Sequence, residues 1–301
     1  MQIKLKKVNQ IIYSIVYLIS LLPFKVLYAI SDVLYFIVYK IFKYRAKVVR
    51  ENLKNSFPEK SEKELRQIER KFFKNFFDFL IETVKGFGIN QKEAKERIFF
   101  ENIDLFKKAN LEKKNVMLLA GHNFNWEMAN VAFDRFPQEN YIAIYKKLNN
   151  DFWDKKIIES REKFGAQLIA SSLVMKYIKK APNNGNYIFA FLADQSPFRK
   201  SIRQGVHFLN QKTPVFTGYN RIDSRDDVLY VYAEMLKPKR GHYHLIFKEI
   251  LPDGEKFGEN ELVIKFNSIL EKTIKEHPEN WLWTHKRWKN SYVLTDEMML
   301  N

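Results

Sequence analysis

The chain has 301 residues, 46% of them hydrophobic, and no cysteine. This apolar content is enough to bury a core, so the chain is not disordered along its whole length. Without cysteine there is no disulfide framework, no thiolate zinc site and no cysteine nucleophile. The net charge of +16 indicates a polyanionic partner, such as nucleic acid, an anionic membrane or an acidic protein.

Half of that charge lies in the first 50 residues, which are also the most apolar part of the chain. Nine basic residues against Asp32 alone give this segment a charge of +8. Residues 8–24 carry no charged residue, and residues 26–42 place apolar side chains on one helical face. Positive charge combined with apolar residues is typical of membrane attachment. We therefore predict a membrane anchor at 1–50 and one catalytic domain at 51–301.

The pattern of this segment leaves the mode of attachment open. A helix over residues 8–24 would measure about 26 Å, shorter than the hydrocarbon core of about 30 Å. No small-residue cleavage site follows it, so we do not expect a signal peptide. A short span, a hairpin on the inner leaflet and two ordinary core helices all fit the sequence.

Strands and helices are predicted to alternate downstream. After a loop at 52–60, Ser61 and Glu64 form a capping-box pattern that begins a helix, and Gly86 and Gly88 end it. The further predicted elements are strands at 116–120, 141–145 and 187–192, helices at 125–133, 152–164 and from 171, a hairpin of 228–234 with 243–250, and a helix at 262–274. This order predicts an α/β fold with a central mixed sheet flanked by helices.

The densest chemical signal directly follows the first of these strands. Residues 121–127 read Gly-His-Asn-Phe-Asn-Trp-Glu. His122 just past a strand and Glu127 in the next helix can form a hydrogen-bonded dyad, in which the carboxylate orients the imidazole and supports its protonated form. Taken alone, the spacing also fits a capping or core histidine, and it offers too few ligands for a zinc site.

Further motifs in chain order make the sequence similar to a known enzyme family. The 121–127 block resembles the Gly-His-x-Gly-Asn-Trp-Glu pattern of the late acyltransferases of lipid A biosynthesis, within the glycerolipid and lysophospholipid acyltransferase superfamily. Phe124 departs from that pattern, because the family often has Gly there, and Lys147 stands where it often has Pro. The other matching segments are Tyr-Lys-Lys-Leu-Asn-Asn at 145–150, Arg161 with Phe-Gly at 164–165, Ala-Asp-Gln at 193–195, and the blocks at 208–218 and 281–289.

The resemblance implies a membrane-associated O-acyltransferase that needs no metal or cofactor. The implied donor is the thioester of acyl carrier protein, or of coenzyme A, and the implied acceptor is a hydroxyl of an anionic lipid A precursor. Transfer would be direct, without a covalent acyl-enzyme. The resemblance assigns catalysis to His122 and Glu127, and binding of substrate to Arg161, Asn125, Asp194 and Gln195.

The same resemblance implies a location at the cytoplasmic face of the cell inner membrane, in contact with its phospholipids. A related acceptor, such as a lysophospholipid, an aminolipid or a pigment, is the alternative within this enzyme class. A nucleic-acid-binding protein with an aromatic and basic surface is an alternative from another class. No helix-turn-helix, RNP or zinc-finger pattern supports it, so we expect no nucleic-acid partner.

Overall fold

The computed structural model describes residues 2–130, 133–219, 228–250, 258 and 260–300. The helices are α1 Gln2–Ser20, α2 Phe24–Leu34, α3 Ala46–Ser56, α4 Glu62–Gly88, α5 Gln91–Lys95, α6 Asp104–Leu111, α7 Trp126–Ala129, α8 Asp151–Glu162, α9 Val174–Lys180 and α10 Glu261–Glu276. A π-helical segment, Tyr35–Ile41, continues α2. The strands are β1 Ile98–Glu101, β2 Asn115–Ala120, β3 Asn140–Tyr145, β4 Ala166–Ala170, β5 Tyr187–Leu192, β6 Gly205–Phe208, β7 Gln211–Pro214, β8 Val228–Lys239 and β9 His242–Glu249.

Seven strands form one central sheet in the order β1-β9-β8-β2-β5-β3-β4. The hairpin of β8 and β9 is antiparallel, whereas the other neighbouring strands in this sheet are parallel. Strands β6 and β7 form a separate antiparallel pair. The prediction of a mixed sheet flanked by helices is confirmed.

Strand β2 lies near the middle of the sheet, and its side chains alternate between two buried clusters. Met117 and Leu119 belong to the cluster that also contains buried residues of α3, α4 and α10. Val116 and Leu118 belong to the cluster on the other face, which includes buried residues of α6 and β9. Both faces of β2 are therefore covered, as expected for a strand with parallel neighbours. The loop at 121–125 follows the end of this strand.

The N-terminal segment packs into the same core as the rest of the chain. Leu27 of α2 and Val49 of α3 are fully buried. The rings of Tyr39 and Phe73 stack with their centroids 4.2 Å apart. Residues 1–50 therefore share buried contacts with the part of the chain that follows. A boundary after residue 50 would also fall inside α3.

Three buried carboxylates of α4 bind this segment through hydrogen bonds. The donor–acceptor pairs are Tyr39 Oη to Glu69 Oε1 at 3.0 Å, Ser31 Oγ to Asp78 Oδ1 at 2.8 Å and Tyr28 Oη to Glu82 Oε1 at 2.7 Å. Hydrogen bonds to buried acceptors have specific geometry, so these contacts fix the rotation of α2 and the π-helical segment about their axes.

The opposite side of the N-terminal helices is exposed and apolar. Ile11, Ile15 and Leu18 of α1 lie on this side, one helical turn apart, and Phe36 and Ile41 follow them. Within the described residues, no single helix is both long and apolar enough to cross a membrane. The helices Lys7–Ser20 and Phe24–Ile41 meet that requirement as a pair, although they are bent by 118°.

Local predictions differ in their outcome. The capping box at Ser61 and Glu64 forms, and α4 ends at Gly88 as predicted. The loop predicted at 52–60 is partly wrong, because α3 continues to Ser56 and buries its apolar stripe. The helix predicted at 125–133 is wrong beyond α7, and residues 131–132 of that prediction lie outside the described part of the chain.

Candidate active site

The register of β2 and β5 brings two distant residues of the site together. Ala120 at the end of β2 is paired with Leu192 at the end of β5 in a parallel ladder. His122 and Asp194 each follow two residues later, so they emerge side by side at the carboxyl edge of the sheet, where ligands commonly bind in α/β proteins. Gly121 fits the close packing at this edge, because a Cβ there would lie 2.5 Å from Leu270 Cδ1 and 3.2 Å from Asp194 Oδ2.

The His122 imidazole is held by Asp194. His122 Nδ1 lies 2.5 Å from Asp194 Oδ1, and the His122 backbone N–H donates to Asp194 Oδ2 at 2.7 Å. Trp281 Nε1 donates to the same Oδ2 at 2.7 Å, and the Trp126 ring packs edge-on against the imidazole. These contacts place the proton donor of the imidazole on Nδ1 and leave Nε2 as its basic nitrogen.

Asp194 is fully buried yet favours its charged form. Burial raises the pKa of this carboxyl, but the charge of His122 and the hydrogen bonds from His122 and Trp281 outweigh burial and hold the pKa at about 2. The carboxylate therefore stays anionic at neutral pH and can stabilise an imidazolium on His122.

Glu127 has a different partner from the one that the sequence predicts. Both of its carboxylate oxygens accept hydrogen bonds from Arg161 of α8, at 2.8 Å from Nε and 2.5 Å from Nη2. The carboxylate on the His122 ring is Asp194 instead. Sequence spacing suggested the His122–Glu127 contact, but α7 directs Glu127 towards α8 and the parallel sheet brings Asp194 to the imidazole.

Asn125 is also placed differently from its predicted role in substrate binding. Its side chain is buried, and Oδ1 accepts the Met128 backbone N–H at 3.1 Å as the N-cap of α7. Its Nδ2 donates to Glu82 Oε2 at 2.6 Å. Both polar atoms of Asn125 therefore fix the loop that carries His122, and Asn125 does not line the apolar cavity that begins beside His122.

A large apolar cavity begins beside His122. Its volume is about 480 Å³, within the range of about 300–1,000 Å³ typical of small-molecule sites. His122, Arg161 and Gln195 supply polar groups to its wall, and the Gln195 amide nitrogen lies 3.0 Å from His122 Nε2. Much of the remaining wall is hydrocarbon and includes Leu118, Phe133, Phe136, Tyr141, Met235, Leu245 and Phe247.

Phe124 occupies a backbone conformation that favours glycine. Its φ is +47°, and a bulky residue at positive φ is an outlier. This is the position where the resembled family often has Gly. The Phe124 N–H donates to Asn280 O at 2.7 Å, so the turn is fixed to the chain segment just before Trp281. Phe124 does not line the large cavity.

A buried cation lies near the His122–Asp194 pair. Arg287 is 1% exposed, and its Nε and Nη1 have no hydrogen-bond partner among the described residues. Burial lowers the pKa of Arg287 to about 10, against the opposing charge of Asp194. Burial, with the charge of Arg287, also lowers the pKa of His285 to about 4, so His285 is neutral at physiological pH.

Sequence reasoning missed two contributors to this site. In the sequence, Trp281 stands out only as part of a block similar to the family, and no motif marks Glu82. The indole N–H of Trp281 and the carboxylate of Glu82 act on residues 87 and 43 positions away, so no local spacing reveals them. His122, Arg161 and Gln195, which the sequence predicts as site residues, all line the cavity. Within the described residues, no group of three or more His, Asp and Glu side chains is arranged to hold a metal ion.

An α/β fold with an imidazole–carboxylate pair beside an apolar cavity is an arrangement that can remove a proton from a substrate with an apolar part. Comparison with known proteins makes this specific. The profile of the family described as bacterial lipid A biosynthesis acyltransferase matches residues 4–290. The chain belongs to this family and is an acyltransferase, which confirms the resemblance found in its sequence blocks.

Two relatives come from Escherichia coli (strain K12). The lipid A biosynthesis palmitoleoyltransferase is 22% identical over 251 residues, which cover 83% of this chain and 81% of the relative. The lipid A biosynthesis lauroyltransferase is 25% identical over 284 residues, which cover 92% and 89%. The two relatives are named for different acyl chains, so similarity to them does not fix the acyl chain of this protein.

Proposed function

We propose that this protein transfers a fatty acyl chain from a thioester to a hydroxyl of a lipid A precursor. One observation carries the proposal: an imidazole oriented by a buried carboxylate stands at the wall of an apolar cavity of about 480 Å³. The family and the names of both relatives support lipid A as the acceptor class. We propose acyl carrier protein as the donor's carrier, with coenzyme A as the alternative carrier.

The reaction follows from the basic nitrogen of His122. Nε2 accepts the proton of the acceptor hydroxyl as its oxygen attacks the thioester carbonyl carbon. The resulting imidazolium is stabilised by Asp194 across their 2.5 Å contact. When the tetrahedral intermediate collapses, the carbon–sulfur bond breaks and the thiolate takes the proton from His122. An ester and a free thiol result, and no bond forms between the acyl group and the protein.

Arg161 is the group best placed for the developing negative charge. Its guanidinium has five N–H donors, and Glu127 accepts two of them. Because Arg161 also lines the cavity, its other donors can reach a substrate oxygen. We propose that it binds the oxyanion or a phosphate of the acceptor. Glu127 then contributes by holding Arg161 rather than by orienting His122.

We also propose that the protein acts at the cytoplasmic face of the inner membrane, attached through α1 and α2. The exposed apolar side of these helices and the basic charge of the first 50 residues support attachment to anionic lipid. Deleting residues 1–42 is a poor test, because it removes the buried Leu27 and the partners of the α4 carboxylates. Polar substitutions on the exposed side leave those contacts intact.

The attachment test is therefore a triple variant, Ile11→Ser with Ile15→Ser and Leu18→Ser. We expect it to move a large part of the folded protein from the membrane pellet to the supernatant. Leu111→Ser, at an 83% exposed residue of α6, is the control for loss of surface hydrophobicity. Full retention of the triple variant in the pellet, with a native circular dichroism spectrum, would contradict attachment through α1.

The acceptor test is mass spectrometry of lipids from a deletion strain. Loss of one secondary acyl chain from lipid A, restored by the wild-type gene but not by His122→Ala, is the expected result. An unchanged lipid A spectrum together with a change in lysophospholipids, aminolipids or a pigment would replace lipid A by that acceptor. Purified protein assayed with carrier-protein-bound and coenzyme-A-bound donors distinguishes the two carriers.

A further inference from the structure

The cavity opens to solvent through a rim that is largely apolar. Leu148, Leu192, Phe198 and Phe216 line the cavity and are also exposed, so they mark its mouth. Phe198 is 68% exposed. A group of exposed apolar residues around one opening, unlike a single exposed ring, indicates a contact made outside the chain.

Cations stand directly beside these exposed rings. Lys146 Nζ lies 4.9 Å from the centroid of the Phe198 ring. The Arg199 guanidinium lies 5.5 Å from the ring of Tyr292, which is 69% exposed. Asn290 Nδ2 donates to Pro197 O at 3.3 Å and so joins the loop of Tyr292 to that of Phe198. We call the resulting surface the mouth patch; its residues are Lys146, Leu148, Phe198, Arg199, Lys200 and Tyr292.

The mouth patch combines two features that together fit a lipid surface. Exposed Phe and Tyr rings are suited to the boundary between headgroups and acyl chains, and Lys and Arg to anionic headgroups. An acidic protein would be attracted by the same cations, but it does not require exposed rings from two loops around an apolar opening. The patch also lies apart in sequence from the apolar side of α1 and α2.

We propose that the mouth patch inserts into an anionic bilayer and forms a second membrane contact of this enzyme. The proposal rests on the proposed function, because it concerns the entry to the acyl cavity. With Phe198 and Leu148 among the lipids, the lipid acceptor can present its hydroxyl at the mouth of the cavity while its own acyl chains stay in the bilayer. Exclusion of water at this opening also protects the thioester from hydrolysis during transfer.

The absence of cysteine from the sequence allows a site-specific test in the full-length protein. Phe198→Cys and Tyr292→Cys are each labelled with an environment-sensitive fluorophore. Leu111→Cys is the matched control, because Leu111 is 83% exposed and ends α6, which leads to the start of β2 at the opposite edge of the sheet. Vesicles of phosphatidylcholine, with and without phosphatidylglycerol, are then added without any substrate.

We expect blue-shifted emission and quenching by spin-labelled lipid at positions 198 and 292 with the anionic vesicles, and no change at 111. The double change Arg199→Glu with Lys200→Glu should reduce the shift at 198 several-fold. Lys179→Glu with Lys180→Glu, two exposed cations at the end of α9, makes the same change in charge and should leave the shift unaltered.

Two results would overturn the proposal. Labels at 198 and 292 could stay in water while the protein itself sediments with the vesicles, which would restrict membrane contact to other surfaces. Alternatively, the labels could respond to an acidic acyl carrier protein and not to vesicles, which would make the patch a protein-docking site. Neither result depends on the acceptor, because acyl transfer is measured separately on the unlabelled wild-type protein.

Discussion

Two fully buried carboxylates, Asp194 in the site and Glu82 in α4, differ in the chemistry of their partners. Asp194 faces the His122 imidazole, which can carry a charge, and its pKa falls to about 2 despite burial. Glu82 accepts hydrogen bonds from Tyr28, Tyr243 and Asn125, which are neutral donors. Burial raises the pKa of Glu82, and these bonds oppose the rise without reversing it.

This difference separates two uses of a buried acid. A partner that can accept a proton keeps Asp194 anionic and makes the pair suitable for proton transfer. Neutral partners make Glu82 a structural link, because it joins α2, β9 and the loop of Asn125 at one point. Variants that keep the shape of each acid but remove its charge test whether this division of roles is correct.

The largest effect is expected at His122. His122→Ala should lower turnover by roughly 10²–10⁴, the usual contribution of a general base. It should also lower the melting temperature, since the buried Asp194 carboxylate loses the imidazole that forms a hydrogen bond with it. Adding Asp194→Asn removes that anion and should restore much of the stability without restoring turnover. Wild-type turnover of His122→Ala, or a double variant as unstable as the single one, would contradict the assignment.

The next effect tests the Glu127–Arg161 pair. If Arg161 stabilises the oxyanion, Arg161→Ala should lower kcat by roughly 10²–10³. Glu127→Gln should also lower kcat. If Glu127 acts through Arg161, the double variant should be no slower than Arg161→Ala alone. Independent, multiplying losses would instead favour a separate action of Glu127 on His122. Glu159→Gln, which breaks the more exposed Lys156–Glu159 pair of the same helix, is the control and should retain activity.

A smaller effect, on stability, is expected at Glu82. Glu82→Gln should lower the free energy of unfolding by about 1–3 kcal/mol, because a buried partner is left unsatisfied. Tyr28→Phe removes a single hydrogen bond and should cost about 0.5–1.5 kcal/mol.

The pH dependence of the stability of Glu82→Gln tests the direction of the Glu82 pKa shift. The folded pKa of Glu82 is raised, so the wild type loses stability as the pH rises through that pKa. Glu82→Gln lacks this ionisation. The difference in melting temperature between the two proteins should therefore narrow with rising pH, and a widening difference would rule out a raised pKa.

The smallest effect concerns the backbone at Phe124. At a φ of +47°, a side chain costs about 1–2 kcal/mol relative to glycine. Phe124→Gly and Phe124→Ala lose the same ring, so the Gly variant should be the more stable by about 1 kcal/mol. Urea denaturation measures this difference. Equal stability of the two variants would show that the turn relaxes.

The sequence predicts the elements of this fold better than their lateral contacts. Apolar runs and the Ser61–Glu64 box predict β2, β5 and α4, because hydrophobic burial and capping act within a few residues. The sequence also predicts that His122 and Asp194 directly follow the ends of strands. Which carboxylate reaches the imidazole depends on the parallel register of β2 with β5, and spacing along the chain does not contain that information.

Asn125 shows the same limit at the level of one side chain. Its place in a family-like motif suggested contact with substrate. The structure uses its two polar atoms for the cap of α7 and for Glu82. A residue near a catalytic base can resemble a binding residue in sequence because it fixes the base in place, and only the partners of its atoms distinguish the two roles.

The link at Glu82 also imposes an order on how the protein is made. Tyr243, one of its donors, lies 161 residues further along the chain, so at about 5–20 residues per second it leaves the ribosome roughly 8–32 s later. Arg240, which binds Asp78, is equally late. The nascent chain therefore carries α2 for many seconds before the hairpin that completes its binding surface exists. The loop bearing His122 acquires its full support only after this hairpin and Trp281 have been synthesised.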